Sequence, residues 1–146
     1  MGLDMANKFT WEELKAKLSG EILHNEFRDG MRFIIMRGPA SLCAYIGIPL
    51  DHPLAGFGYE DLPNVEAHGG LTFARSAEGK WPSGYYWYGW DYAHCDDYCF
   101  YYDTDECGLR GEGKKWLVED VIGDSYWPLY YFDKLMKIAE KIASKR

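Results

Sequence analysis

The sequence predicts an α+β domain: an antiparallel sheet of about four strands, covered by a helix from each end of the chain. Three observations predict it. Thr10 to Glu13 has the capping-box form that opens a helix. Leu129, Phe132, Leu135, Met136, Ala139, Ile142 and Ala143 recur at helical spacing near the other end. Between them lie runs rich in β-branched and aromatic residues, separated by glycine and proline. A length of 146 residues fits one domain, 1–146, and 47% apolar content supplies a core, which excludes wholesale disorder.

In chain order, residues 1–7 read as a flexible leader and 8–20 as an accessory N-terminal helix. Trp11, Leu14 and Leu18 share one face of that helix, and Gly20 stops it. Glu21 to Asp29 is ambiguous between further helix and another element, and Asp29-Gly30 signals a turn. Met31 to Arg37 and Ser41 to Ile48 read as strands, the second buried on both faces. Pro49 to Pro63, with three prolines and two glycines, reads as a long loop of the kind that carries function. Val65 to Arg75 and Gly84 to Tyr92 read as the two central strands, with Gly69-Gly70 marking a bulge or a close approach. Alternation places Tyr85, Trp87, Gly89 and Asp91 on one face of the second, and Tyr86, Tyr88, Trp90 and Tyr92 on the other. Cys95 to Gly113 reads as an acidic connection. Lys115 to Ile122 reads as one or two helical turns, and Trp127-Pro128 as the start of the last helix.

Charge narrows the partners. Sixteen basic residues against 23 acidic ones leave a formal charge of −7, which repels phosphate backbones and argues against direct nucleic-acid binding. The same acidity is compatible with a protein-binding decoy that mimics nucleic acid, although solubility alone accounts for it. The longest apolar run near the N-terminus, Phe33 to Met36, is far too short to cross a membrane, and Met1 to Lys8 lacks a signal-peptide core. The expected location is the cytoplasm, with Cys43, Cys95, Cys99 and Cys107 as thiols.

The chemistry concentrates in Trp81 to Asp103, too polar for a core strand and too aromatic for a plain loop. Asp91-x-x-His94-x-x-Asp97, joined by His68, offers oxygen and imidazole groups in a short span. Such a set suits a divalent cation held by His68, Asp91, His94 and Asp97. It also suits acid–base work by His68, Asp91 and His94, with a carboxylate orienting an imidazole. The plainer alternative is a histidine bonded to a carboxylate to hold a turn. Cys95, Cys99 and Cys107 lack zinc-knuckle spacing, and Asp103 to Lys114 fails as a calcium loop, with Cys107 and Lys114 at ligand positions. No dinucleotide fingerprint, phosphate loop or nucleophile elbow occurs. Exposed Trp and Tyr faces stack on nucleobases, worth about 1–3 kcal/mol each. Arg75, Lys80, Arg110 and Lys114 are the basic residues near enough in sequence to meet phosphates.

Three motifs resemble a family of small, mostly uncharacterised phage, prophage and bacterial proteins. They are His52-Pro53-Leu54-x-Gly56-x-x-Tyr59-x-Asp61-Leu62, His68-Gly69-Gly70-Leu71-Thr72-Phe73, and Trp87-x-Gly89-Trp90-Asp91-x-Ala93-His94-x-x-Asp97. They span Gly47 to Asp97, about a third of the chain; Cys95-Asp96 departs from the small residues of the pattern. The resemblance implies that the motifs form one site, and a phage setting implies counter-defence by association. The resulting first expectation is a pocket of Tyr59, Asp61, His68, Thr72, Trp87, Asp91, His94 and Asp97 that sequesters a small nucleotide-like ligand. Trp87 and Tyr59 would be its stacking faces. A metal-dependent hydrolase of a nucleotide signal and an acidic inhibitor of a host protein are the alternatives. An oligomer is compatible with all three.

Overall fold

A computed structural model describes residues 8–102 and 113–145. The expected leader, Cys107, Arg110 and most of the calcium-loop-like segment lie outside the described residues. The described chain is an α+β domain built on a five-stranded antiparallel sheet.

Helix α1 (Trp11–Ala16) has the expected capping box: the Glu13 N–H donates to Thr10 Oγ1 at 3.1 Å, and the Thr10 N–H donates to Glu13 Oε1 at 2.8 Å. The Thr10 backbone N–H, followed by the Thr10 side chain, holds the Glu13 carboxyl below its usual pKa. The helix is shorter than expected. Lys17 is already extended, and Leu18, expected on the packed face, is 79% exposed. What anchors α1 is Arg37, whose buried guanidinium donates to the carbonyls of Leu14 and Lys15 at the helix end.

Strands β1 (Ile22–Arg28) and β2 (Met31–Arg37) form a hairpin. Its two-residue turn has Asp29 at φ 52° and Gly30 at φ 82°, the left-handed pair that matches strand twist. This resolves the ambiguous segment as a strand and raises the count from about four to five. Strand β3 (Leu42–Pro49) pairs with β2 on one side and with β5 (Tyr85–Asp91) on the other. Strand β4 (Phe73–Ser76) closes the order β1-β2-β3-β5-β4.

The expectation of a central strand over Val65 to Arg75 is corrected. Only its last part enters the sheet, and it is an edge strand. Gly69 at φ 70° and Gly70 at φ 85° turn the chain there, so the strand begins only at Phe73, led in by the Thr72 N–H donating to the Gly89 carbonyl at 2.9 Å.

The alternation expected in β5 holds. Tyr88 and Trp90 join Phe33, Ile35, Ala44, Ile46 and Phe132 in the main core, and Trp87 joins Ile34, Met36 and Tyr45 on the other face. Helix α2 (Val118–Asp124) and the long α3 (Tyr126–Ser144) add to the main core through Val118, Val121, Leu129, Phe132 and Met136. Among the described residues no helix is long and apolar enough to cross a membrane.

The second face is tightly filled. A Cβ on Gly47 would lie 2.7 Å from the Trp87 ring, which is fully buried. Gly47→Ala is therefore expected to destabilise the domain by about 1–3 kcal/mol, read from the urea midpoint at unchanged slope. On the same face burial, followed by the nearby Asp91 charge, pushes the Cys43 thiol up to about 11. At pH 8 iodoacetamide should accordingly label exposed Cys95 well ahead of Cys43, as read by peptide mapping.

Candidate functional site

The site begins where β5 ends. Asp91 Oδ1 accepts the Ala93 N–H at 3.1 Å, which turns the chain out of the strand. The next turn closes on itself: the Asp97 N–H donates to the His94 carbonyl at 2.9 Å, and Asp97 Oδ2 accepts the His94 N–H at 2.9 Å. The same oxygen accepts from His68 Nε2 at 2.7 Å, and Oδ1 accepts from the Trp116 indole at 2.8 Å. Asp97 is 2% exposed, so its carboxylate is a buried acceptor for three N–H donors from three stretches of chain.

Backbone contacts bring the third stretch in. Lys114 pairs with Asp97 in a parallel bridge, and a Cβ on Gly113 would stand 2.8 Å from the Asp97 carbonyl carbon. Gly69 makes the second close approach. A Cβ there would meet the His94 ring, so the turn at Gly69 is a seat for that imidazole.

Donation from Nε2 fixes the tautomer of neutral His68 and leaves Nδ1 without a hydrogen bond to the described residues. Tyr92 fixes the plane of the ring, stacking on His68 at 4.5 Å and 18°, while Trp116 packs at its edge at 5.0 Å. The Tyr92 hydroxyl accepts from Trp90 Nε1 at 3.0 Å and donates to Asp124 Oδ2 at 2.8 Å. Burial, reinforced by the Asp124 charge, raises the Tyr92 pKa far above neutrality, which keeps this hydroxyl a donor. One tyrosine thus sets both the face of His68 and the carboxylate of Asp124. These two residues line a cleft of ≈ 330 Å³ together with Glu66, Ala67 and Trp127.

The expected site residues do not share one pocket. His68 and Asp97 are bonded, and His94 adjoins them, its ring 5.4 Å from that of His68. His94 Nε2 is buried and lies 3.4 Å from Asp91 Oδ1, outside hydrogen-bonding geometry. Thr72 and Asp91 line a separate small hollow of ≈ 130 Å³ with Cys43 and Tyr45. Tyr59 lines a third depression of ≈ 360 Å³, built by the loop around Leu62 and Gly70. Asp61 is exposed beside Gly58 in the same loop. Trp87, expected as a stacking face, is buried under the sheet and has no face open to a ligand. Arg75, Lys80 and Lys114 do not line the His68 cleft.

The expected cation set is not gathered around a point. His68 Nε2 and Asp97 Oδ2 are committed to each other, and no group of three or more His, Cys, Asp or Glu side chains among the described residues is placed to hold an ion. Cys99 is buried in the body and Cys95 is exposed.

Sequence reasoning missed Trp116, Trp127, Glu66 and Asp124. Alternation did place Tyr92 on one face with Tyr88 and Trp90, which the structure shows to be the face of the main core. No family model, no curated protein and no solved structure matches the chain.

Loss of the buried acceptor should be costly. Asp97→Ala leaves the His68 and Trp116 donors and the His94 N–H without their partner, and is expected to cost about 3 kcal/mol or more in urea unfolding. Gly69→Ala, strained at its φ and obstructed by His94, should destabilise in the same assay, whereas Gly79→Ala, strained but unobstructed, should cost less.

Proposed function

We propose that the protein binds a small nucleotide-like molecule in the cleft beside His68 and acts by sequestering it. One observation carries the reading. A buried carboxylate holds one nitrogen of His68, and the other is left without a hydrogen-bond partner among the described residues, on a side chain that walls a ≈ 330 Å³ cleft beside a half-exposed indole, Trp127. That is the chemistry of a binding site: an oriented hydrogen-bonding group next to an aromatic face.

This relocates the stacking face from Trp87 to Trp127 and keeps His68 and Asp97 from the expected set. The hydrolase alternative has less support, because the imidazole and carboxylate atoms meant for a cation are bonded to each other. The decoy alternative rests on the −7 charge alone. A cytoplasmic location and a counter-defence role against a nucleotide signal come from composition and the family resemblance, and they form part of the proposal.

The test is to isolate the protein natively, release bound molecules by heat and identify them by mass spectrometry. A nucleotide-like molecule released by the wild type and absent from His68→Ala is the expected result. An empty wild-type extract, with no nucleoside or nucleotide binding in subsequent titration, would overturn the reading. Retention of the same molecule by His68→Ala and Trp127→Ala alike would remove it from this cleft.

A further inference from the structure

The cleft has a chemical polarity that goes further than its size. Two of its lining side chains, Glu66 and Asp124, are carboxylates, which as anions only accept hydrogen bonds. Among the described residues no lysine or arginine lines it. Asp124 is not a loose surface acid. The chain Trp90 Nε1 to Tyr92 hydroxyl to Asp124 Oδ2 holds one of its oxygens from inside the core. Trp127 is half exposed, and its ring packs edge-on against Tyr126 at 5.0 Å and Tyr130 at 5.8 Å, so neighbouring aromatics buttress it. Two of the basic residues expected to meet phosphates are engaged elsewhere. Arg75 lies over the Phe73 ring at 4.8 Å, and Lys114 over Trp116 at 4.6 Å.

Resting on the binding site proposed above, we infer that the cleft selects a flat ring carrying hydrogen-bond donors, neutral or cationic, and rejects phosphate. The amino edge of a nucleobase, or an amidine, meets the carboxylates of Asp124 and Glu66 while its ring stacks on Trp127. Any phosphate of the same ligand stays outside, because the two lining carboxylates repel it and no lining cation among the described residues offsets them. His68 Nδ1 serves as the second polar contact. Recognition thus runs through the base.

Titration calorimetry on the full chain with adenosine, benzamidine and ATP tests this at low ionic strength. Adenosine and benzamidine should bind, with ATP about tenfold weaker, and the gap should narrow as salt rises. Asp124→Asn should weaken adenosine and benzamidine and bring ATP closer to adenosine. Asp124 is exposed, and circular dichroism of the variant confirms its fold. ATP binding as tightly as adenosine, or Asp124→Asn leaving all three unchanged, would overturn the inference. If ATP bound tightest and Trp127→Ala abolished that binding, the cleft would stand as the site while its preference for donors fell. If none of the three bound, the inference would fall, and an empty heat extract would then take the site with it.

Discussion

Everything at the working end of this domain hangs on the Asp97 carboxylate. It is buried, and a buried charge is costly unless its lone pairs are filled. Three N–H donors fill them: a backbone amide, an imidazole and an indole. Each comes from a segment outside the sheet ladders: the turn after β5, the glycine turn before β4, and the stretch that leads into α2. The carboxylate converts three loops into one rigid corner, and two glycines make the corner close enough to form. A bond that holds a turn and a bond that orients an imidazole are the same bond here.

The sheet behind that corner explains why it sits where it does. Strand β5 loads both faces with aromatics, so the strand is fixed in register by packing on each side. Tyr92, the residue that follows the strand, is buried in the main core, where it stacks on His68 and reaches Asp124. The core therefore determines the geometry of the cleft through one residue that belongs to both. Arg37 does comparable work at the end of β2, tying α1 to the sheet through carbonyls that a short helix would otherwise leave open.

Much of the fold was legible because its signals are local. The capping box at Thr10, the alternation in β5, the Met31 to Arg37 strand and the spacing in α3 each depend on a few neighbouring residues. The Val65 to Arg75 strand was not legible as it exists. Gly69 and Gly70 read as a bulge or a close approach within a continuing strand; Gly69 does approach the His94 ring, yet both take positive φ and turn the chain, and nothing local distinguishes a turn from a bulge. The candidate site was legible in part. His68, His94 and Asp97 stood out by type and spacing, and they do meet. Trp87 was misplaced, since a tryptophan on the less covered face of a sheet looks available until the second core is seen. Trp116, Glu66 and Asp124 reach this corner only through tertiary contacts, which a one-dimensional pattern does not encode.

The most direct test of this account is the long-range ¹H–¹⁵N NMR spectrum of the histidine rings, with His68 assigned by comparison with His68→Gln. The account predicts that His68 carries its proton on Nε2, and that Asp97→Ala shifts that resonance together with the Trp116 indole signal. A His68 ring protonated on Nδ1 with Nε2 bare would contradict it, because Asp97 would then have no proton to accept from His68 and the corner would have to be held some other way.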